Sequence, residues 1–301
     1  MTSLRDSFEE APRISTKLNC YFAPYERLCE ELRRDAVQRG SKFSLVEFGV
    51  LHGGSLHMWR RFFGVDARII GVDLNPTALE HVESGFEIHI VDQESREDLD
   101  DFFALVGPVD CIIDDGAHTN PATVHTLLSS LNALRPGGAL VIEDVHTSFL
   151  KEFGNPSGTS IFTLCCAIAQ DLSEDYVQKT SQLSCFRQIV RSVEFLPSMI
   201  VVRIRDVEDP YYPPRSIVNA ASEKQAGIRD LRNEMVMVLG SLDAIARQAK
   251  ALLPGPIVNR LEPLGAKFID YARQTAIAKS ARRRNRILKR DLARSGYRFQ
   301  R

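Results

Sequence analysis

From residue 43 to residue 205 this chain alternates short β-rich apolar runs with longer helical stretches, and no other feature restricts its fold as much. "FSLVEFGV" (43–50), "ARIIGVDL" (67–74), "FEIHIVD" (86–92), "VDCIIDD" (109–115) and "GALVIEDV" (138–145) read as strands. The intervening "LHMWRRFFG", "ESREDLDDFFALVG" and "NPATVHTLLSSLNALRPGG" are helical in period or composition. "RPGG" (135–138) reads as the stop between the last of these helices and the fifth strand. An amphipathic helix around Ala23–Gly40 precedes the first strand. Such alternation implies a parallel sheet covered by helices on both faces. The pattern then changes. "RQIVRSVEFLP" (187–197) and "SMIVVRIRD" (198–206) are parted only at Pro197–Ser198, which is too short for a crossover helix. That pair must be antiparallel.

The expected organisation is an N-terminal helical segment (1–42), an α/β domain (43–206), and a C-terminal extension (207–301). The extension holds a proline-containing linker, helices over 220–251 and from 266, and a basic tail. The formal net charge of −1 conceals that tail. Arg273–Arg301 carries eleven Lys/Arg against one acid, Asp291. Such a tail is a solvated arm, or it meets an anionic membrane surface, a partner protein or nucleic acid. None of the six cysteines, Cys20, Cys29, Cys111, Cys165, Cys166 and Cys185, falls in a CxxC pair. They read as free thiols in a reducing compartment. "MTSLRDSFEEAPR" lacks the apolar core of a secretory signal, and no apolar run approaches the ~20 residues of a membrane helix. A cytoplasmic location is expected, with peripheral membrane attachment through the tail as the variant.

The chemistry gathers at the strand ends. "VEFGVLHGGS" (46–55) is a glycine loop that opens a helix at Ser55, where backbone and free N–H groups can approach a ligand. Its Gly49-xxx-Gly53-Gly54 spacing departs from the GxGxxG of nicotinamide sites. Asp73 ends the second strand, placed for the two hydroxyls of a ribose. Asp92 and Gln93 end the third, where an adenine amino group could be bonded. Each could be only a helix cap, but three such ends behind a glycine loop favour a nucleoside site. "IIDDGAHT" and "VIEDVHT" end the fourth and fifth strands, so Asp115, Glu143 and Asp144 could face one point. Carboxylates so placed repel one another unless a cation intervenes, and an all-oxygen shell suits Mg²⁺ or Mn²⁺.

"VEFGVLHGGSLHMW", "GVDL", "VDQES", "IIDDGAHT" and "VIEDVHTSF" together resemble class I S-adenosylmethionine-dependent methyltransferases. More narrowly they are similar to the metal-dependent macrolide-sugar O-methyltransferases and the related cephalosporin-hydroxylase-type proteins. The resemblance covers residues 15 to 206. It implies a Rossmann-like class I methyltransferase sheet of seven strands, the last antiparallel. It implies that Glu47, Gly49 and Ser55 surround the methionine part of the cofactor, Asp73 the ribose, and Asp92 with Gln93 the adenine. Asp115, Glu143 and Asp144 are implied as metal ligands and His118 as general base, with Asp114 supporting the cofactor. The implied cofactors are S-adenosyl-L-methionine and Mg²⁺ (or Mn²⁺), and the implied acceptor is a sugar or glycoside hydroxyl.

Other residues are less specific. His146 lines the acceptor pocket or satisfies a loop. His52, His57 and Trp59 read as structural, and Tyr21 and Tyr25 could roof the cofactor. The loop 148–162 is expected to shape the acceptor pocket, and homo-oligomerisation stays open. Rival readings are an RNA methyltransferase that uses the tail as a phosphate clamp, and a noncatalytic nucleotide- or partner-binding module. The carboxylates would repel an RNA backbone, and no 2-His-1-carboxylate pattern supports iron chemistry.

Overall fold

The computed structural model describes residues 2–153, 160–174, 184–206 and Arg286. The chain divides into two units, residues 1–214 and 215–301. The expected linker, C-terminal helices and basic tail lie outside the described residues, Arg286 excepted.

The seven strands are β1 (Ser44–Phe48), β2 (Arg68–Asp73), β3 (Glu87–Ile90), β4 (Val109–Asp114), β5 (Leu134–Ile142), β6 (Val190–Leu196) and β7 (Met199–Ile204). They form one sheet in the order β3-β2-β1-β4-β5-β7-β6. β1 to β5 pair in parallel, and β7 runs antiparallel to both β5 and β6. This is the expected Rossmann-like sheet, its last strand reversed. At the β6–β7 turn Ser198 takes φ 59, which lets two residues reverse the chain.

Alternation along each strand sorts the core into two layers. Leu45, Ile69, Cys111, Ile113 and Val141 pack with α1 (Leu4–Glu9), α2 (Phe22–Gln38) and α3 (Gly54–Phe63). Val46, Ile70, Ile112, Leu140 and Ile142 pack with α4 (Arg96–Val106), α5 (Asn120–Ala133), α6 (Ile161–Glu174) and α7 (Ser184–Ile189). A one-residue slip would exchange the two sets, so burial on both faces fixes the register.

Two elements differ from the sequence expectation. "RPGG" does not precede β5 but begins it, because α5 ends at Ala133 and the ladder with β4 shifts register between Val109 and Cys111. Gly137, at φ 79, supplies the unusual backbone there. The short helix α1 was not anticipated. Its signal is a capping box: the Ser3 hydroxyl accepts from the Asp6 N–H at 3.0 Å, and Asp6 Oδ2 accepts from the Ser3 N–H at 3.3 Å. Among the described residues, no helix is long and apolar enough to cross a membrane.

Candidate functional site

Phe48, Asp114 and Ile142 are level in the sheet, so the next residues, Gly49, Asp115 and Glu143, leave adjacent strands side by side. The order reverses here, with β2 on one side of β1 and β4 on the other. Open α/β sheets leave a crevice at such a place. Gly49 has φ 90, and a Cβ on it would lie 2.1 Å from the Asp115 carbonyl oxygen. Only glycine lets these two loops approach so closely.

A cavity of about 740 Å³ opens at this edge, in the size range of small-molecule sites. Gly49, Ser55, Asp73, Asp92, Gln93, Asp115, His118 and Asp144 line it, with Ile14, Ser15 and Thr16 of the N-terminal segment forming another part of the wall. Asp73 is oriented by backbone donors. Its Oδ2 accepts from the Val50 and Leu51 N–H groups at 2.9 and 3.0 Å, and its Oδ1 from Asn75 at 2.8 Å. A carboxylate has lone pairs beyond these three. Asp92 accepts from the Glu94 N–H at 2.8 Å.

Gln93 works mainly inside the protein. Its amide donates to Asp114 Oδ1 at 2.8 Å and Thr126 Oγ1 at 3.1 Å, and its oxygen accepts from the Ala117 N–H at 2.9 Å. A Cβ on Gly116 would lie 2.0 Å from that oxygen, which explains the glycine in "DGAH". Asp114 does not line the cavity. It is buried, burial raises its carboxyl above the ordinary range, and it reaches the site through Gln93.

The carboxylates fall into an inner and an outer group. Lys17, which the sequence reading passed over, brings its ammonium to 2.6 Å from Glu143 Oε1, 2.7 Å from Asp115 Oδ2 and 3.3 Å from Glu47 Oε1. The Lys17 side chain is 2% exposed, and those of Glu143 and Glu47 are 2% and 0%. Neither Glu47 nor Glu143 lines the cavity; both are turned toward Lys17. The Trp59 indole N–H donates to Glu47 Oε2 at 3.1 Å, and the Tyr25 hydroxyl donates to Glu143 Oε1 at 2.6 Å. Burial opposes charge on Lys17, but the three carboxylates outweigh it and hold the ammonium well above its usual range. Burial likewise pushes Glu143 up to about 8, with Lys17 and Tyr25 pulling the other way.

The outer group faces the cavity. His118 Nε2 lies 3.7 Å from Asp115 Oδ1 and 3.8 Å from Asp144 Oδ2. Among the described residues, Asp115, His118 and Asp144 offer ligand atoms all within 4.8 Å of one another, close enough to share one cation. His118 and Asp144 are non-glycine residues at φ 56 and 52. Such backbone is costly, and packing must hold it in place. The Tyr21 hydroxyl does so for Asp144: it lies 2.7 Å from Oδ1 and accepts from the Asp144 N–H at 3.0 Å. Tyr21 and Tyr25 therefore buttress the carboxylates and do not roof the cavity.

Trp59 is fully buried in the core, and His57 packs edge-on against Phe86. His146 stands outside the cavity, its Nδ1 2.6 Å from Ser198 Oγ. Of the cysteines, Cys20, Cys29, Cys111, Cys165 and Cys166 are free thiols, and Cys185 lies outside the described side chains. Residues 154–159 of the expected acceptor loop also lie outside the described residues.

Residues 46–145 match a family described as a methyltransferase domain. The chain is 40% identical over 158 residues to the mycinamicin VI 2''-O-methyltransferase of Micromonospora griseorubida, covering 47% of this chain and 37% of that protein. It is 33% identical over 143 residues to the 8-demethyl-8-alpha-L-rhamnosyl tetracenomycin-C 2'-O-methyltransferase of Streptomyces olivaceus, covering 45% of this chain and 36% of that protein. The matched region thus spans little more than a third of the relatives' own length. Among solved structures, the mycinamycin-pathway methyltransferase MycE, in complex with Mg and S-adenosylhomocysteine, superposes with a TM-score of 0.58 at 23% identity. That match covers 72% of this chain and 58% of MycE, and it shows a common fold.

Proposed function

We propose that this chain, which carries a class I methyltransferase domain of the sugar O-methyltransferase type, transfers a methyl group from S-adenosylmethionine to a hydroxyl of a sugar or glycoside. The observation that carries the reading is one cavity whose wall includes residues of the Gly49–Ser55 loop and Asp73 together with Asp115, His118 and Asp144. A nucleoside-bearing donor and a hydroxyl acceptor can meet there. The relatives support the chemistry, since the similar proteins are named as O-methyltransferases, one of a rhamnosyl tetracenomycin and one of mycinamicin VI.

In this reading Asp73 accepts from the ribose hydroxyls, and Asp92 and the backbone beside it face the adenine. Gly49 and Ser55 lie along the methionine part, with Glu47 beneath them. Asp115 and Asp144, with Glu143 behind, supply the hard anionic donors that suit Mg²⁺ or Mn²⁺. A divalent cation held there would make an alkyl hydroxyl more acidic. His118 takes the hydroxyl proton as the oxygen attacks the methyl carbon and the bond to the sulfonium sulfur breaks, releasing S-adenosylhomocysteine. The nearby Asp115 and Asp144 carboxylates stabilise the resulting imidazolium.

Calorimetry with S-adenosylhomocysteine, and methyl-transfer assays on glycosides with and without chelator, test this reading. Cofactor binding should weaken markedly in Asp73→Ala, and chelator should abolish transfer until Mg²⁺ is returned. A folded protein that binds no S-adenosylhomocysteine would reject the function. Full activity in excess chelator would reject the metal.

A further inference from the structure

We propose that Lys17 is the site's tethered cation, a positioning residue whose ammonium occupies the inner side of the carboxylate cluster and sets how tightly a free divalent cation is held on the outer side. The inference deepens the functional reading above and rests on it for the identity of the outer cation.

Three strands deliver acids to this point, Glu47 from β1, Asp115 after β4 and Glu143 after β5. Lys17 reaches all three, at 3.3, 2.7 and 2.6 Å. An unpaired charge buried this deeply is prohibitively costly. The lysine therefore belongs to the construction of the cluster and is not a stray surface contact. Its position also divides Asp115: Oδ2 accepts from Lys17, while Oδ1 turns toward His118. That division orients the outer oxygen toward Asp144 and His118, whose atoms converge on one point.

A cation at that point shares Asp115 with Lys17. The ammonium thus acts in two opposing ways: it fixes the rotation of Asp115, and it repels a second positive charge a few ångströms away. Coulomb repulsion between a fixed single charge and a divalent ion at such separations outweighs the loss of one oriented oxygen. Removing the ammonium should leave the carboxylates without their resident cation and raise their affinity for an external one. A lysine that only filled space would show the opposite, because loosening the site would weaken binding.

The test measures Mn²⁺ affinity by electron paramagnetic resonance, with melting temperature on the same samples, for wild type, Lys17→Arg and Lys17→Met. Lys17→Met is expected to melt lower without metal, to bind Mn²⁺ at least about tenfold more tightly, and to regain its melting temperature when Mn²⁺ is added. Lys17→Arg keeps the charge and should bind close to wild type. An unchanged or weakened Mn²⁺ affinity in Lys17→Met overturns the proposal. If Lys17→Met does not fold, Lys17→Met/Glu143→Gln is compared with Glu143→Gln alone, and the double variant must show the same gain. Wild-type binding of S-adenosylhomocysteine is measured separately. Its absence would reject the methyltransferase reading while the Mn²⁺ comparison still decides the role of Lys17.

Discussion

Strand β4 holds a buried aspartate near its amino end and is followed at its carboxyl end by a partly exposed one, and the two are treated in opposite ways. At the amino edge of the sheet, Asp110 is 1% exposed and ion-paired to Arg39, with Arg135 Nε 3.7 Å away. The Ser44 N–H and hydroxyl donate to its other oxygen at 2.8 and 3.0 Å. Three hydrogen bonds from the protein's own donors hold it in place. At the carboxyl edge, Asp115 gives one oxygen to Lys17 and presents the other to a cavity shared with His118 and Asp144. A carboxylate at a strand end is therefore not marked as functional by its position alone. What distinguishes the two is whether the chain supplies enough donors, and at the carboxyl edge it stops short.

The strongest test of this contrast exchanges its two ends. Asp115→Ala should slow methyl transfer by at least about 10³-fold in folded protein, since in the proposed function it removes both a cation ligand and the neighbour of the base. Asp110→Ala should leave the rate per folded molecule unchanged while costing about 2–3 kcal/mol of stability. That cost lies below the range for breaking a fully buried pair, because Arg39 and Arg135 are about a third exposed. Equal losses of rate in the two variants would erase the distinction.

His118→Ala should reduce single-turnover rate by about 10²–10⁴-fold with little loss of melting temperature. Its ring sits at the cavity wall, and alanine keeps the Cβ, so the left-handed backbone is strained in both. A lowered melting temperature with full activity per folded molecule would make the histidine structural.

A smaller effect separates glycines of the two edges. Gly49→Ala drives a Cβ into the backbone of Asp115 and should destabilise by several kcal/mol, since neither strand end can move. At Gly107, φ 76 and ψ −174, a Cβ would meet nothing within 4 Å, so Gly107→Ala should cost only backbone strain, about 1–3 kcal/mol. Similar melting temperatures for the two would mean that the loops do not meet as described.

The gentlest probe is pH. Burial raises Glu143 from its ordinary 4.5 to about 8, so folding favours its protonated form. That contribution is complete below 4.5 and is lost as pH rises through about 8. In chelator, the wild-type melting temperature should fall across this window, and Glu143→Gln should flatten the fall. Identical slopes would show that Glu143 is ionised throughout.

The sheet was legible because buried parallel strands repeat local rules: β-branched runs, glycine stops and a two-residue hairpin at Pro197–Ser198. Asp73, Asp92, Asp115, His118 and Asp144 were legible as cavity residues because strand-end positions follow from strand order. Lys17 was not. A lone lysine in "ISTKLNCY" has no period and no motif, and its partners lie 30, 98 and 126 residues away. Nor did sequence show that Gln93 spends its amide on Asp114 and Thr126, or that Tyr21 and Tyr25 prop up carboxylates. Those choices are made by side-chain packing between distant segments. The start of β5 was misplaced for a local reason: proline and two glycines signal a stop, and a bulged strand tolerates all three.

The segment just before Lys17 also crosses the first turn of α3, where a Cβ on Gly54 would meet the Ile14 and Arg13 carbonyl oxygens at 2.4 and 2.5 Å. Ile14, Ser15 and Thr16 wall the cavity, and the next residue is anchored in the carboxylates. Peeling that wall back thus separates an ammonium from three acids at once. A methyl donor that left through this wall would therefore have to break all three ion pairs first.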